Sequence, residues 1–500
     1  MNARLWLIRR LVASVMPLFA IAASIDEADV QRMFGEIVAA GEAGDFAGAL
    51  TKVEAALRRF PDPGRTRAIL LQMRAEALRD LGRGAEGLAA AQEAVAMLPD
   101  HLNGLQLLAD AQLRQGLAVE ASRTVGDIAR RHPSSVATLD PGWAGHLLRQ
   151  LGTPEAAEAR FELALTLAKG GFVDPEWPGS TDQITADAIA GLIERHRLAE
   201  AQPLAAGLTD VSTQLRMLAD RRFEPLWPTL EAKAGPRAAN LLANDVRAAE
   251  EAYRRAPDSI VALRTYVMAL RGQGRNREAA ALASPALRDM AEVERQGEPA
   301  FWLANEAAYA LADIDDVDAA DRQFAALLDL GVAKYPSLIS MAINRAAVLR
   351  DAGRPADALK AAEFVEALGP DYTSDYGRMW TWYNQTCALL ALGRAADARQ
   401  VVDRMESLRT ANDAAYMGAL LCHDRLDDAE RLILERLTDP QRRGDMLLAL
   451  QDFRPITPGP QAVQIEKLLA LRSRPTVRQA IERVGRVLAV DADRTYWGGM

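Results

Sequence analysis

Cysteine is nearly absent from this chain: Cys387 and Cys422 are the two in 500 residues. Two thiols cannot build a disulfide framework or a four-cysteine zinc site. Aromatic residues make up only 6%. The five histidines, His101, His132, His146, His196 and His423, show neither an HExxH motif nor Cys-His zinc spacing. Basic charge is also in deficit, 59 lysines and arginines against 68 acids, for a net charge of −9. A chain-wide basic footprint is lacking, so no nucleic-acid partner is expected. Beyond the N-terminus no stretch approaches the ~20 apolar residues of a membrane helix, so the mature chain is expected to have no span.

What the chain does have is apolar bulk, 49% of residues, with 25% charged, which places it among globular proteins. Alanine dominates, followed by leucine and arginine, residues that lose little side-chain freedom in a helix. The first 25 residues stand apart. They carry no acid, place Arg4, Arg9 and Arg10 ahead of an apolar run over 11–23, and offer Ala20 and Ala22 as small residues before a cleavage point. This order of regions predicts a signal peptide over 1–23 and export to a periplasmic or secreted location. The alternative is an uncleaved N-terminal membrane anchor, for which the run is short.

Periodicity organises the remainder. Gly82 and Gly116 are 34 residues apart, as are Pro99 and Pro133. Within 68–99, Leu71, Ala75 and Leu78 form one helical stripe that stops at Gly82. Leu88, Ala91, Ala94 and Val95 form a second, which stops at Pro99. Glycine accepts the positive φ of a tight turn and proline cannot continue a helix.

The pattern resembles the tetratricopeptide repeat: a large residue at position 4, small ones at 8, 20 and 27, glycine at 15 and proline at 32. The same frame fits 30–61 (Gly44, Ala49, Ala56), 102–133 (Leu105, Ala109, Gly116, Ala121) and 138–169 (Gly145, Gly152, Ala164). It returns at 260–287 (Tyr266, Gly274, Ala279), at 301–328 (Ala308, Ala320, with Asp315 at the glycine position) and at 339–370 (Ala346, Gly353, Ala358). The last windows are 379–406 (Trp382, Gly393, Ala398) and 410–437, which keeps Tyr416 and Ala429 but loses the glycine.

The resemblance implies an all-α solenoid, a right-handed superhelix of helix-turn-helix repeats whose first helices line the concave side. The expected organisation is an array over 26–169, an irregular helical connector or degenerate repeats over 170–243, a second array over 244–437, and capping helices over 438–500. Within the connector, helices are expected at 184–195 and 212–219, and in the tail at 462–471 and 477–488.

Chemical motifs fare poorly. Gly82, Gly84 and Gly87 spell GxGxxG, but a helix precedes them where a dinucleotide site needs a strand, so no cofactor is expected. Asp313, Asp315, Asp316, Asp318 and Asp321 cluster at a repeat turn without the glycine or terminal glutamate of a calcium loop, and read as solvated turn and helix-start charges. Cys387 and Cys422 occupy positions 9 and 13 of adjacent first helices. Axes ~8–10 Å apart with one turn of offset exceed the ~7 Å Cα limit for a bridge, so two free thiols are expected. His423 beside Cys422 does not make a nucleophile–base dyad.

Peptide-binding positions of the repeat family map onto Trp302, Asn305 and Tyr309, onto Asn344 and Arg350, and onto Trp380, Tyr383 and Asn384. Amides bond an extended backbone, aromatic rings supply apolar contact, and Arg350 suits a carboxylate. The full clamp for a terminal carboxylate is missing, and the same rings also suit packing between helices, as Trp382 does at position 4. The expected function is a non-enzymatic adaptor or scaffold for a protein or peptide partner. The alternative is an enzyme or accessory subunit with a site in 170–243, where Asp174, Glu176, Asp182 and His196 lack diagnostic spacing.

Overall fold

A computed structural model describes residues 27–174, 178–455 and 460–494. The expected signal peptide, 1–23, and Glu176 lie outside the described residues. Apart from two short strands, the regular structure described is helical, as expected of an all-α solenoid. No helix among the described residues is long and apolar enough to cross a membrane. The chain divides between Leu204 and Ala205 into two compact units, inside the stretch expected as one connector.

One local device makes the hairpins. Gly82 sits at φ +75° between the helices Arg65–Asp80 and Gly84–Met97. It lets the Arg83 N–H turn back onto the Leu78 carbonyl at 2.8 Å. This capping bond satisfies a carbonyl that the helix end leaves free. It recurs from Leu117 to Gln112, Arg275 to Leu270, Asp316 to Leu311, Arg354 to Leu349, Arg394 to Leu389 and Arg425 to Leu420, at 2.8 to 3.0 Å. Where the repeat loses its glycine, Asp315 (φ +71°) and Asp424 (φ +54°) take the same left-handed conformation. His196 (φ +57°) does so too, between Pro178–Glu194 and Leu198–Gly207, with Arg197 bonded to the Leu192 carbonyl. The start of the 170–243 stretch is therefore another hairpin of the same kind. The window 138–169 departs from the pattern: Pro141–Gln150 reaches Ala157–Lys169 through the short 3₁₀ turn Pro154–Ala156.

Small residues set the spacing between helices. Ala75 and Ala91 are buried where Arg65–Asp80 meets Gly84–Met97, and a Cβ on Gly87 would stand 3.1 Å from the Ala75 carbonyl oxygen. In the second unit Ala308, Ala320, Ala346, Ala358, Ala362 and Ala398 are buried completely. Each hairpin leans on the next, with the first helix of one repeat packed on the helices of its neighbour. Such a stack owes its stability to neighbour contacts rather than to any single hairpin.

The second unit begins with Val211–Ala219 and Trp227–Ala234 and carries its hairpins from Ile260–Gly272 to Leu426–Thr438. Its C-terminal segment turns back over it. Arg443–Ala449 packs on Val211–Ala219. Asp452–Arg454 pairs in parallel with Ala489–Asp493, and Val490 and Ala492 are buried. The helix expected to reach 488 stops at Val484, because the chain must pass tight against Ala219: a Cβ on Gly485 would lie 2.2 Å from the Ala219 carbonyl oxygen. Arg486 then donates to the carbonyls of Ala219 and Leu218, from its backbone N–H at 2.9 Å and its side-chain Nε at 2.8 Å.

The turn at Asp315 yields a stability prediction. A non-glycine residue in the left-handed region costs roughly 1 kcal/mol, and Asp313 and Asp316 add like charge nearby. Asp315→Gly is expected to raise the urea midpoint of the second unit by an amount worth about 1 kcal/mol. An unchanged or lower midpoint contradicts the strain assigned to this turn.

Candidate functional site on the first-helix face

The expected site residues lie on three successive first helices of the second unit, Glu298–Asp313, Leu338–Asp351 and Asp375–Ala391. Side chains at these positions bond from helix to helix. Asn344 Nδ2 donates to Asn305 Oδ1 at 2.8 Å, and Asn384 Nδ2 donates to the Ile343 carbonyl at 3.0 Å. Arg350 donates to Asn384 Oδ1, pairs with Asp351 at 2.8 Å, and lies 4.0 Å from the Tyr383 ring centroid. Asn305, Arg350, Tyr383 and Asn384 are buried. Their hydrogen-bonding capacity goes largely into joining helices, and Arg350 has its carboxylate partner within the chain.

Trp302, Tyr309, Asn344 and Trp380 keep partial exposure. Trp302 Nε1 donates to Glu298 at 3.3 Å. Tyr309 stacks edge-on to Phe324, with the Arg271 guanidinium 5.0 Å from its ring. Trp380 lies between Tyr376 and Tyr383, at centroid distances of 6.4 and 5.9 Å. Trp382 faces the other way, its Nε1 on Glu366 at 2.9 Å and its ring beside Arg404.

Charged groups extend this polar seam. Arg271, nearly buried on Ile260–Gly272, pairs with Glu306 and with Asp313 at 3.1 Å. Burial pushes the Asp313 and Asp351 carboxyls up, against the opposing pull of Arg271 and Arg350 respectively. Burial also pushes the Tyr383 hydroxyl up to about 12, so it stays protonated and able to donate. The aspartate cluster at the 313–321 turn is dispersed: Asp316 caps Ala319, Asp318 pairs with Arg354 and Asp321 with Arg345. Among the described residues no group of three or more His, Cys, Asp or Glu is placed to hold a metal ion.

The cysteines correct the sequence reading. Cys387 and Cys422 form a disulfide with a Cα separation of 5.7 Å. The repeat from Met379 to Thr410 is 31 residues long, three short of the usual frame. Equal frame positions are therefore not level in space, and residues about 35 apart are. Asn412 Nδ2 reaches the Tyr376 carbonyl at 3.3 Å, and Gly418 faces Tyr383, where a Cβ would come within 2.5 Å of the ring. The helix Asp413–Cys422 has thus slid by about one turn and lies close, which cancels the offset assumed between positions 9 and 13. His423 is no partner for a thiolate, since its Nε2 meets Thr386 Oγ1 at 2.7 Å.

Sequence reasoning missed the residues that cover this face. Gln464, on Pro460–Arg472, accepts from the Tyr383 hydroxyl and donates to Cys422 Sγ at 2.9 Å. Lys467 donates to the Leu421 carbonyl at 2.9 Å and pairs with Asp424 at 2.6 Å. At the other end of the unit, Arg454 donates to the Gln273 carbonyl at 3.1 Å and pairs with Asp493 at 2.9 Å, beside Gly274. The amphipathic spacing of 464–471 was readable in the sequence, but its docking place was not. Of the residues named for the alternative site, Asp182 lies in the second turn of Pro178–Glu194 and His196 just past its C-terminal end, about 20 Å apart at the α-helical rise.

The first unit carries a polar first-helix face that the sequence reading passed over. Gln72 meets His101 Nδ1 at 3.1 Å, and Glu76 stands one turn further along Arg65–Asp80. Burial pushes Glu76 up to about 7, with Arg79 opposing and Asp80 and Asp110 adding.

Two predictions follow from these environments. Between pH 4.5 and about 7 the folded state keeps a proton on Glu76 that the unfolded chain has lost, so the first unit loses stability as pH rises through that window. Glu76→Gln is expected to flatten this dependence and to raise the urea midpoint at pH 8; parallel wild-type and variant profiles contradict it. Reducing the disulfide, or replacing both cysteines with serine, is expected to cost the second unit about 2–4 kcal/mol, read from urea unfolding. Ready alkylation of both cysteines in the folded, unreduced protein would contradict the bond.

No protein-family model matches the chain, and no curated protein matches it. Among solved structures it is similar to yeast Tom70, at 12% identity over 91% of this chain and 99% of that one, with a TM-score of 0.33. It is also similar to the P58(IPK) TPR domain, at 13% identity over 82% and 100% with a TM-score of 0.20. A third is Naa15/Naa10 bound to HypK-THB, at 13% identity over 89% and 68% with a TM-score of 0.27. At these scores the solenoid class rests on the chain's own stacked hairpins.

Proposed function

We propose that the chain is a non-enzymatic scaffold that binds a protein partner along the first-helix face of its second unit, in an exported, oxidising compartment. The carrying observation is the face itself: a polar and aromatic seam across successive first helices, on which a helix already sits through Gln464 and Lys467. Rigid repeats hold such a seam in place without induced fit, which lowers the entropy cost of binding. Trp302, Tyr309, Asn344 and Trp380 are the expected residues left partly open, and Tyr376 beside Trp380 is 57% exposed. Aromatic anchors flanked by amides are the composition that dominates binding energy at interfaces. Asn305, Tyr383 and Asn384 act beneath them by fixing helix spacing.

Two observations support export. The N-terminal run over 1–23 has the charge and hydropathy order of a leader. The Cys387–Cys422 bond belongs with oxidising compartments, because cytosolic thiol pools keep such pairs reduced.

Trp302→Ala combined with Trp380→Ala is expected to lower partner capture at least tenfold with helicity unchanged. Capture is measured by crosslinking in the native host and mass spectrometry of the recovered complexes. Undiminished crosslinking to the same partner would refute the face as the binding site. N-terminal sequencing of the mature protein is expected to begin near residue 23 or 24; an intact Met1 would refute cleavage.

A further inference from the structure

We infer that the first-helix face of the second unit takes an amphipathic helix of the partner, with glutamine and lysine three residues apart on its seated side, and that the chain's own helix Pro460–Arg472 holds this seat as an internal ligand. The inference rests on the protein-binding reading above and specifies the chemistry of the ligand.

The helix Pro460–Arg472 lies against Leu338–Asp351, Asp413–Cys422 and Leu426–Thr438, and so crosses the repeats rather than joining their stack. Its C-terminal end is fixed at Leu426–Thr438, where Arg474 and Thr476 bond to Glu430. Its other end therefore points toward Leu338–Asp351.

The seat reads the helix by chemistry as well as by shape. Both ends of the Gln464 amide are used, the oxygen by the Tyr383 hydroxyl and the nitrogen by Cys422 Sγ. A carboxylate in its place would lose the donor, and an apolar residue would leave a buried hydroxyl unpaired. Lys467 meets the negative end of Asp413–Cys422, bonding the Leu421 carbonyl and the Asp424 carboxylate. Ile465, Leu468 and Leu471 supply the buried apolar stripe, while Val463 and Glu466 face outward. The seated code is thus glutamine, then lysine at i+3, with leucine at i+4 and i+7.

The occupant is held more lightly than the helices it covers. It buries Gln464, Ile465, Leu468 and Leu471, four of thirteen residues, whereas Asp413–Cys422 buries seven of ten, Gly418 among them. Elements with few buried apolar contacts open first. An opening of this helix leaves the disulfide-linked helices below it in place, so the seat persists for another occupant.

The test uses the full chain and a fluorescein-labelled synthetic peptide of residues 460–472, followed by fluorescence anisotropy. Gln464→Ala with Lys467→Ala weakens the internal helix, and this variant is expected to bind the peptide at least tenfold more tightly than wild type. Adding Tyr383→Phe, which removes the hydroxyl that meets glutamine, is expected to reverse several-fold of that gain. Equal affinity in wild type and double variant, or no binding by either, overturns the inference. Should the double variant lose helicity, hydrogen exchange on wild type decides. Excess peptide is expected to speed exchange over 464–471 while 413–422 stays protected; unchanged exchange over 464–471 overturns the inference. A positive peptide result alongside unaltered capture by the tryptophan variants would refute the proposed partner surface alone.

Discussion

A backbone hydrogen bond of about 3 Å, from the residue after a hairpin turn to the carbonyl five residues earlier, recurs through most of the repeats and sets the geometry on which the rest depends. It forces the residue between to adopt positive φ, reverses the chain, and brings two amphipathic helices side by side. Each hairpin then has one apolar face and no means of burying it alone, so neighbours must stack. The stack in turn presents first helices in parallel rows, and side chains at equivalent levels form the seam seen in the second unit. Glycine is the easiest residue for the turn, but Asp315, Asp424 and His196 show that the bond persists without it.

That hierarchy explains what the sequence could disclose. Turn position follows from local chemistry, so Gly82, Gly116 and Gly274 marked real turns, and even Asp315 was recognised where glycine was missing. The hairpin at His196 could not be aligned within a stretch read as connector or degenerate repeats, because its turn lacks glycine and Ile189 and Leu208 replace the small residues at positions 8 and 27. Ala201, buried at position 20, was the small residue that remained. Level between neighbouring helices is a different kind of quantity. It depends on how far one hairpin slides against the next, which Gly418 and the short repeat before it decide jointly. Frame arithmetic therefore placed Cys387 and Cys422 one turn out of step, while the folded helices hold them level.

The candidate site was legible by place and not by role. Positions carried over from the repeat family led to the seam, with Asn305, Asn344, Arg350 and Asn384 bonded across adjoining helices. Residue type alone could not reveal that most of these amides are already consumed in holding helices together. That outcome turns on burial between adjoining first helices, to which the C-terminal helix adds a partner for Tyr383. Gln464 lies 81 residues from Tyr383 and 42 from Cys422, and no local signal connects them. A periodic pattern identifies an amphipathic helix; it does not say which surface completes it.

An internal ligand changes how affinity at this face should be understood. A tethered helix competes at an effective concentration set by its linker, typically in the millimolar range for short flexible connections. A seat open one part in a hundred weakens an otherwise unchanged partner about 100-fold. Such weakening selects for partners that offer more than the occupant does. Trp302, Asn344 and Tyr376 keep exposed surface on the same run of first helices, which a longer partner helix can use and Pro460–Arg472 does not. The polar anchors then act as a filter: a helix lacking the glutamine leaves the Tyr383 hydroxyl unpaired in a buried setting, a cost of roughly 1–3 kcal/mol. Specificity at this face arises from the penalty for a wrong occupant as much as from attraction to a right one.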